Sequence, residues 1–168
     1  MLEIFNELEP FFEDCYREIS VREYSRIMKI SAPTASTLLK LYKKEGLLKK
    51  REDRRYLLFR VDRENGVLLD LSRIYWKMKL SSLVETIKEK MHNPTIILFG
   101  SLSKLESKQD SDIDLAIISK VAKEIDLDIF EKELKRKIQP FYFKSFKEIS
   151  ANLRLNILKG YFLIGEVE

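Results

Sequence analysis

Near the middle of the chain a short apolar run, Thr95-Ile-Ile-Leu-Phe99, stops at Gly100-Ser101. Ten residues beyond that serine, Ser111-Asp112-Ile-Asp114-Leu-Ala-Ile-Ile118 opens a second apolar run on alternate aspartates. Short continuous apolar runs read as buried strands. Period-two geometry puts Asp112 and Asp114 on one face of the second strand, with Ile113 and Leu115 on the other. Two neighbouring carboxylates repel unless a cation sits between them. A hard divalent ion such as Mg²⁺ does this, taking oxygen ligands together with substrate phosphates. Glycine allows a close backbone approach to a phosphate, and Ser101, at a candidate helix start, can donate through its hydroxyl and amide. Asp112 and Asp114 are thus candidate catalytic and metal-binding residues, with Gly100 and Ser101 as candidate nucleotide contacts.

The stretch LFGSLSKLESKQDSDIDLAII resembles the signature of the minimal nucleotidyltransferases of the DNA polymerase β superfamily. The resemblance runs from about Leu80 to the C-terminus, where the ending NILKG…LIGE also looks like that of the small nucleotidyltransferases. It implies a small mixed sheet flanked by helices, nucleotidyl transfer from a nucleoside triphosphate, and metal ions held by three carboxylates. Gly100 and Ser101 would contact phosphate, Lys104 would add charge beside them, and Asp112 and Asp114 would hold Mg²⁺. Two departures stand out. Lys104-Leu105 occupies the place where such proteins commonly carry Arg-Gly, and the third carboxylate, expected on a later strand, is not evident. After a helix expected over 125–137, the next strand candidate, 139–143, contains no acid. Asp126 and Asp128 are expected at that helix's N-terminus, where the dipole stabilises acids. Ser145-Phe-Lys-Glu148 reads as a capping box opening a helix with Phe146, Ile149, Leu153 and Ile157 on one face, and 161–164 as a last strand.

The first third of the chain has a different character. Leu2, Phe5, Leu8, Phe12, Tyr16 and Ile19 recur at helical spacing over residues 2–19, with Pro10 placed to kink or divide the helix. Ser20-Val-Arg-Glu23 reads as a capping box for a second helix to about Lys29, and Ile30-Ser31 as the turn. Ser31 can cap a third helix, with Pro33 in its first turn, running through Leu38, Leu39, Leu41 and Tyr42 to a left-handed cap at Gly46. Two short helices joined by a tight turn form a helix-turn-helix pattern. Leu38 and Leu41 are expected in the core. Thr34, Ser36, Thr37 and Lys40 then face outward, able to reach phosphates and base edges, and Lys43 and Lys44 extend the basic stretch. Residues 47–50, 51–55 and 56–61 read as strand, charged turn and strand.

Here the sequence resembles the winged-helix transcriptional regulators of bacteria and archaea, over roughly residues 20–61 and most closely in SAPTASTLLKLYKKEGLLKK. The resemblance implies sequence-specific binding of double-stranded DNA, often by a homodimer, with Arg51, Arg54 and Arg55 near the phosphate backbone or minor groove. Winged helices also serve as protein-interaction modules, so the charge distribution matters. Residues 20–61 hold twelve bases against four acids, whereas 1–19 hold six acids against Arg17 alone. From His92 onward the two signs balance at twelve each. A basic block confined to one region is the electrostatic footprint of a nucleic-acid surface.

The expected fold class is α+β or α/β in three segments. A winged helix of three helices plus a β-hairpin spans 1–64, a helical connector 65–92, and the nucleotidyltransferase-like domain 93–168. In the connector, Asn65-Gly66 marks a turn. Leu68, Leu71, Ile74 or Tyr75, Met78, Leu83, Val84, Ile87 and Met91 then describe one long helix or two in series. Trp76 and Tyr75 could pack between domains or subunits, and read as packing residues rather than a ligand box. Cys15 is the only cysteine and His92 the only histidine, which argues against a disulfide or a zinc site. The acidic N-terminus does not look like a signal peptide, and no run approaches the ~20 apolar residues of a membrane span. A cytoplasmic location without membrane partners is expected, and the Lys/Glu/Ile-rich composition follows the thermophile trend.

Two functions fit these features. One is a DNA-binding, regulator-like protein whose second domain binds Mg²⁺–nucleotide or is catalytically degenerate. The other is an active nucleotidyltransferase acting on a protein, RNA or small molecule, with the winged helix as its targeting module, the nearest form being an antitoxin-like minimal nucleotidyltransferase that adenylylates a partner toxin. A pure protein-interaction adaptor has no feature in its favour.

Overall fold

The computed structural model describes residues 2–166 except 55, 122 and 124. The chain divides into two compact units. The first comprises Met1–Ser72 with Leu105–Gln109, and the second Arg73–Lys104 with Asp110–Glu168. The connector therefore contributes to both units, and a five-residue stretch from the second half of the sequence belongs to the first. No helix among the described residues is long and apolar enough to cross a membrane.

In the first unit, α1 (Glu3–Glu13) buries Phe5, Leu8, Phe11 and Phe12 and carries Pro10 within it. The helix was expected to reach Ile19 but stops at Glu13, because Asp14 is extended and its carboxylate accepts from the Tyr16 amide at 3.0 Å. That local bond competes with helix propagation. Tyr16 keeps the helical spacing yet is 47% exposed, with the Arg63 guanidinium 4.3 Å from its ring centre. Ile19 instead belongs to β1 (Ile19–Ser20), opposite Phe59.

The Ser20 side chain caps α2 (Val21–Met28) by accepting from the Glu23 amide, and Lys29 closes it in a left-handed conformation. Ser31 caps α3 (Ala32–Lys44) through the Thr34 amide, and Gly46 follows at φ +75°. The inward face of α3 is Ala35, Leu39 and Tyr42, spaced four and three apart. Leu38 and Leu41 were expected there. Leu38 is half-buried and Leu41 is 45% exposed, because the buried stripe falls one residue later than the leucine pair suggests. Strands β2 (Leu48–Asp53) and β3 (Tyr56–Val61) form an antiparallel hairpin, and β1 adds on its far side in the order β1-β3-β2.

Residues 105–109 complete this unit. The Cys15 amide donates to the Ser107 carbonyl at 2.8 Å, and the Ser107 hydroxyl donates to the Phe12 carbonyl at 2.6 Å. These bonds satisfy a carbonyl in the last turn of α1 and an amide just beyond it. The Cys15 thiol is buried 3.1 Å from the same hydroxyl, and burial pushes its pKa up.

The connector forms two helices, α4 (Gly66–Lys79) and α5 (Ser81–Lys90), broken at Leu80. Asn65 caps α4 by accepting from the Leu68 amide at 2.9 Å. In the second unit Trp76 is fully buried, with Tyr75 edge-on to it at 5.1 Å. Strands β4 (Thr95–Phe99), β5 (Ile113–Ile118), β6 (Ile138–Phe143) and β7 (Tyr161–Ile164) form a sheet in the order β6-β5-β4-β7. Only β5 and β6 run parallel.

One face of that sheet, carrying Ile97, Phe99, Ala116 and Ile118, packs with Ile149 and Ile157. Ile157 lies on α7 (Ala151–Leu158). The helix expected from Ser145 is instead a short 3-10 turn at Phe146–Glu148 followed by α7. Glu148 turns its carboxylate to the Lys144 amide at 2.9 Å rather than completing a capping box. Between β5 and β6, α6 (Asp128–Leu134) is shorter than expected, ending where Lys135 turns left-handed at φ +54°. The Glu131 carboxylate draws the Ile138 amide and the Lys137 ammonium to it, which takes that stretch off the helix.

Candidate functional site

The end of the four-stranded sheet where β4 finishes and β5 and β6 begin gathers the chemically distinctive side chains. Phe99 pairs with Asp114 across β4 and β5, and Gln139 pairs with Asp114 across β5 and β6. Period two then places Asp112, Asp114 and Gln139 on the face that carries Ala116 and Ile118. Gly100 follows β4 at φ +72°, and a Cβ there would run into the Asp114 carboxylate. Glycine is thus required twice over, by backbone conformation and by space. Ser101 begins the turn, and the 3-10 segment Leu102–Lys104 follows. The Ser103 hydroxyl donates to the Gly100 carbonyl at 2.9 Å, and the Lys104 ammonium donates to Asn156 on α7 at 3.2 Å. Leu105 takes a left-handed φ of +59° without being glycine. Its burial offsets a backbone cost of roughly 1–2 kcal/mol.

The two aspartates bear on one another electrostatically. Partial burial, and then the charge on Asp112, hold the Asp114 carboxyl above the usual range. A divalent ion between them would offset the repulsion and favour the charged form of both. Two carboxylates fit one Mg²⁺, which fills its remaining octahedral positions with water or phosphate oxygens. The neighbouring strand offers no third acid. The Gln139 amide donates to Asp112, and an amide is neutral whichever of its ends faces the site. Asp126 accepts from the Asp128 amide at 3.1 Å, and Asp128 begins α6, so both serve the helix start. Among the described residues no group of three or more His, Cys, Asp or Glu side chains is placed to hold a metal.

The backbone on either side of Asp112 is pinned from the loop leading into β6. The Arg136 guanidinium donates to the Ser111 carbonyl at 2.6 Å, and the Lys137 carbonyl accepts from the Ile113 amide at 2.8 Å. Arg136 is 6% exposed and lies 5.3 Å from the Trp76 ring centre. Sequence reasoning missed both Gln139 and Arg136. The first was overlooked because it is an amide where an acid was sought, and the second because a basic run reads as solvated surface.

The second group of candidates lies in the first unit. Thr34, Thr37, Lys40, Lys43 and Lys44 on α3 are exposed, whereas Ser36 is half-buried. The Thr37 hydroxyl donates to the Pro33 carbonyl at 3.1 Å, and Thr34 shares a 2.8 Å hydroxyl bond with Ser31. Arg51 is engaged by Glu18 at 2.6 Å and Asp53 at 3.4 Å, so its charge is offset within the first unit. Arg54 sits exposed at the hairpin tip at φ +44°. Arg55 lies outside the described residues. Lys50 and Arg60 are exposed cations of the same hairpin that the motif reading passed over, although strand alternation could have found them.

Among protein families, the one described as Polymerase beta, Nucleotidyltransferase matches residues 81–166, just over half of the chain. No curated protein matches the chain.

Proposed function

The chain belongs to the polymerase beta nucleotidyltransferase family, and from that premise we propose that it is a DNA-binding regulator whose nucleotidyltransferase-fold unit holds a magnesium–nucleotide rather than transferring it. The carrying observation for DNA is the outer face of α3. Thr34, Thr37, Lys40, Lys43 and Lys44 are exposed opposite Ala35, Leu39 and Tyr42, after a capped turn and before a hairpin exposing Lys50, Arg54 and Arg60. A helix of this kind fits a major groove, and the sheet order β1-β3-β2 around it supports the winged-helix reading. Two copies of the chain would read two half-sites. Gln139 supports the second half of the reading. With an amide in place of an acid the site carries two negative charges, enough for one ion and weak for a second. Asp112 and Asp114 would hold that Mg²⁺, whose chemistry is to neutralise phosphate oxygens, while Gly100 and Ser101 receive the phosphate backbone-first.

The test is DNA binding across a salt series with Lys40→Ala and Arg54→Ala. Each is expected to weaken binding and reduce the slope of log affinity against log salt by about one phosphate contact. Unchanged affinity in both variants would overturn the DNA reading. The alternative, an active transferase on an antitoxin-like or other acceptor, is favoured by the intact Gly100-Ser101 turn and aspartate pair. Gln139→Glu separates the two. Labelled-nucleotide incorporation by the wild type supports the transferase, whereas incorporation by Gln139→Glu alone supports a holding site that lacks its third acid.

A further inference from the structure

Helix α4 carries two apolar stripes where one would satisfy the fold. Its inward face is Leu68, Ser72, Tyr75 and Trp76, all fully buried. About a third of a turn away stand Val67, Leu71, Ile74 and Met78, spaced four, three and four residues apart. A solvated helix face is ordinarily polar. Here Val67 is 65% and Ile74 41% exposed, with Leu71 and Met78 half-buried between them. Alternating steps of three and four are the spacing of a coiled-coil seam. Asp70 and Lys77, both exposed and seven residues apart, flank this stripe on the same side. Lys77 rests 5.8 Å from the Tyr161 ring centre, which orients its ammonium while leaving it exposed. All six residues stand on one helix, so the seam is a property of α4 alone.

We propose that this seam joins two copies of the chain, their α4 helices packed antiparallel about a two-fold axis. In that register Val67 meets the partner's Met78 and Leu71 meets the partner's Ile74, each contact made twice by symmetry. The same register sets Asp70 against the partner's Lys77, and Lys77 against the partner's Asp70. A parallel pairing would set Asp70 beside the partner's Tyr75, which is buried in its own chain, and would leave both charges without an ionic partner. The charge pattern is thus complementary to itself in one orientation, which points to a second copy as the occupant. A 14-residue helix offers four such layers, so the interface belongs to the weak class and the dimer forms in the micromolar range. The pairing needs no DNA. It would supply the two copies that read two half-sites, and it stands if the DNA reading fails.

The test is sedimentation equilibrium of the full-length chain, without DNA and at low salt, for wild type, Ile74→Glu, Asp70→Lys and Lys77→Asp. Wild type is expected to pass from monomer to dimer between micromolar and millimolar concentration. Ile74→Glu puts a charge into the middle of the seam at an exposed position. It should weaken association at least about tenfold, with the thermal melt of the dilute monomer unchanged. Each charge reversal sets like charges together twice per dimer and should weaken association about fivefold. An equimolar mixture of Asp70→Lys and Lys77→Asp should regain wild-type association, because one chain then offers two cations and the other two anions. That recovery cannot come from a change in folding, and raised salt should erase it. A wild type monomeric at every concentration overturns the proposal. So does association indifferent to Ile74→Glu, or a mixture that associates no better than either variant alone.

Discussion

Asp114 shows how one carboxyl group can carry both a cost and a use. Burial and the neighbouring Asp112 raise its proton affinity above the ordinary value near 3.8. The folded state therefore binds this proton more tightly than the unfolded chain does. The stability this group contributes is full below the ordinary carboxylate value and is lost as pH rises through the raised one. Asp114→Asn is accordingly expected to raise the Tm at pH 7 in the absence of divalent metal. The gain should shrink as the pH falls to where the wild-type group is itself neutral. A variant less stable than wild type at pH 7 would show that the carboxylate is held by an attraction instead. On the proposed reading that the pair holds Mg²⁺, the ion would compete with that proton, and its affinity should decline on acidification before that of an unperturbed aspartate pair does. Gly100 bears on the same atoms. Gly100→Ala places a methyl on the Asp114 carboxylate at a left-handed φ, and loss of nucleotide-dependent stabilisation in a thermal melt is the expected readout.

Among the elements, α3 illustrates what sequence can and cannot say. Its caps were legible, because Ser31 and Gly46 are required by the termini themselves. Its inward face was not, because Leu38, Leu39, Leu41 and Tyr42 offer two apolar stripes about one residue apart. Packing in the first unit selects Ala35, Leu39 and Tyr42, a choice made by tertiary partners rather than by hydrophobicity. Leu39→Ala is expected to cost about 2–5 kcal/mol, whereas Leu41→Ala should stay within roughly 0.5 kcal/mol. Denaturant melts of the two variants decide the matter, and equal losses would contradict the observed face. The β4–turn–β5 stretch was the most legible part of the chain, since Gly100, Asp112 and Asp114 each answer a local demand. Gln139 depends on the parallel register of β6 against β5, a pairing separated by the whole of α6. No local pattern encodes that register. The early end of α1 and the short α6 were hidden for a related reason. Both are stopped by a side chain, Asp14 or Glu131, whose choice between solvent and backbone periodicity does not reveal.

At the scale of the whole molecule, the first unit is discontinuous in sequence. Residues 105–109 supply the Ser107 carbonyl to the Cys15 amide and a hydroxyl beside the thiol. A fragment of residues 1–72 lacks these partners. Its Cys15 is expected to react with a thiol reagent at least about tenfold faster than in the full chain, because local opening becomes easier. Equal rates would mean that α1 holds its end without the later segment. The discontinuity also sets a timetable. A ribosome releases the chain in sequence order, yet the unit bearing the basic helix cannot be finished until residue 109 has left the exit tunnel, well after β4 has followed α5 out. A translation product that stops short of that point carries every cation of α3 and the hairpin but not the segment that closes their unit. If the thiol of the fragment does react faster, prematurely terminated chains are expected to be left with an unfinished helix end and to be cut there sooner than the full chain.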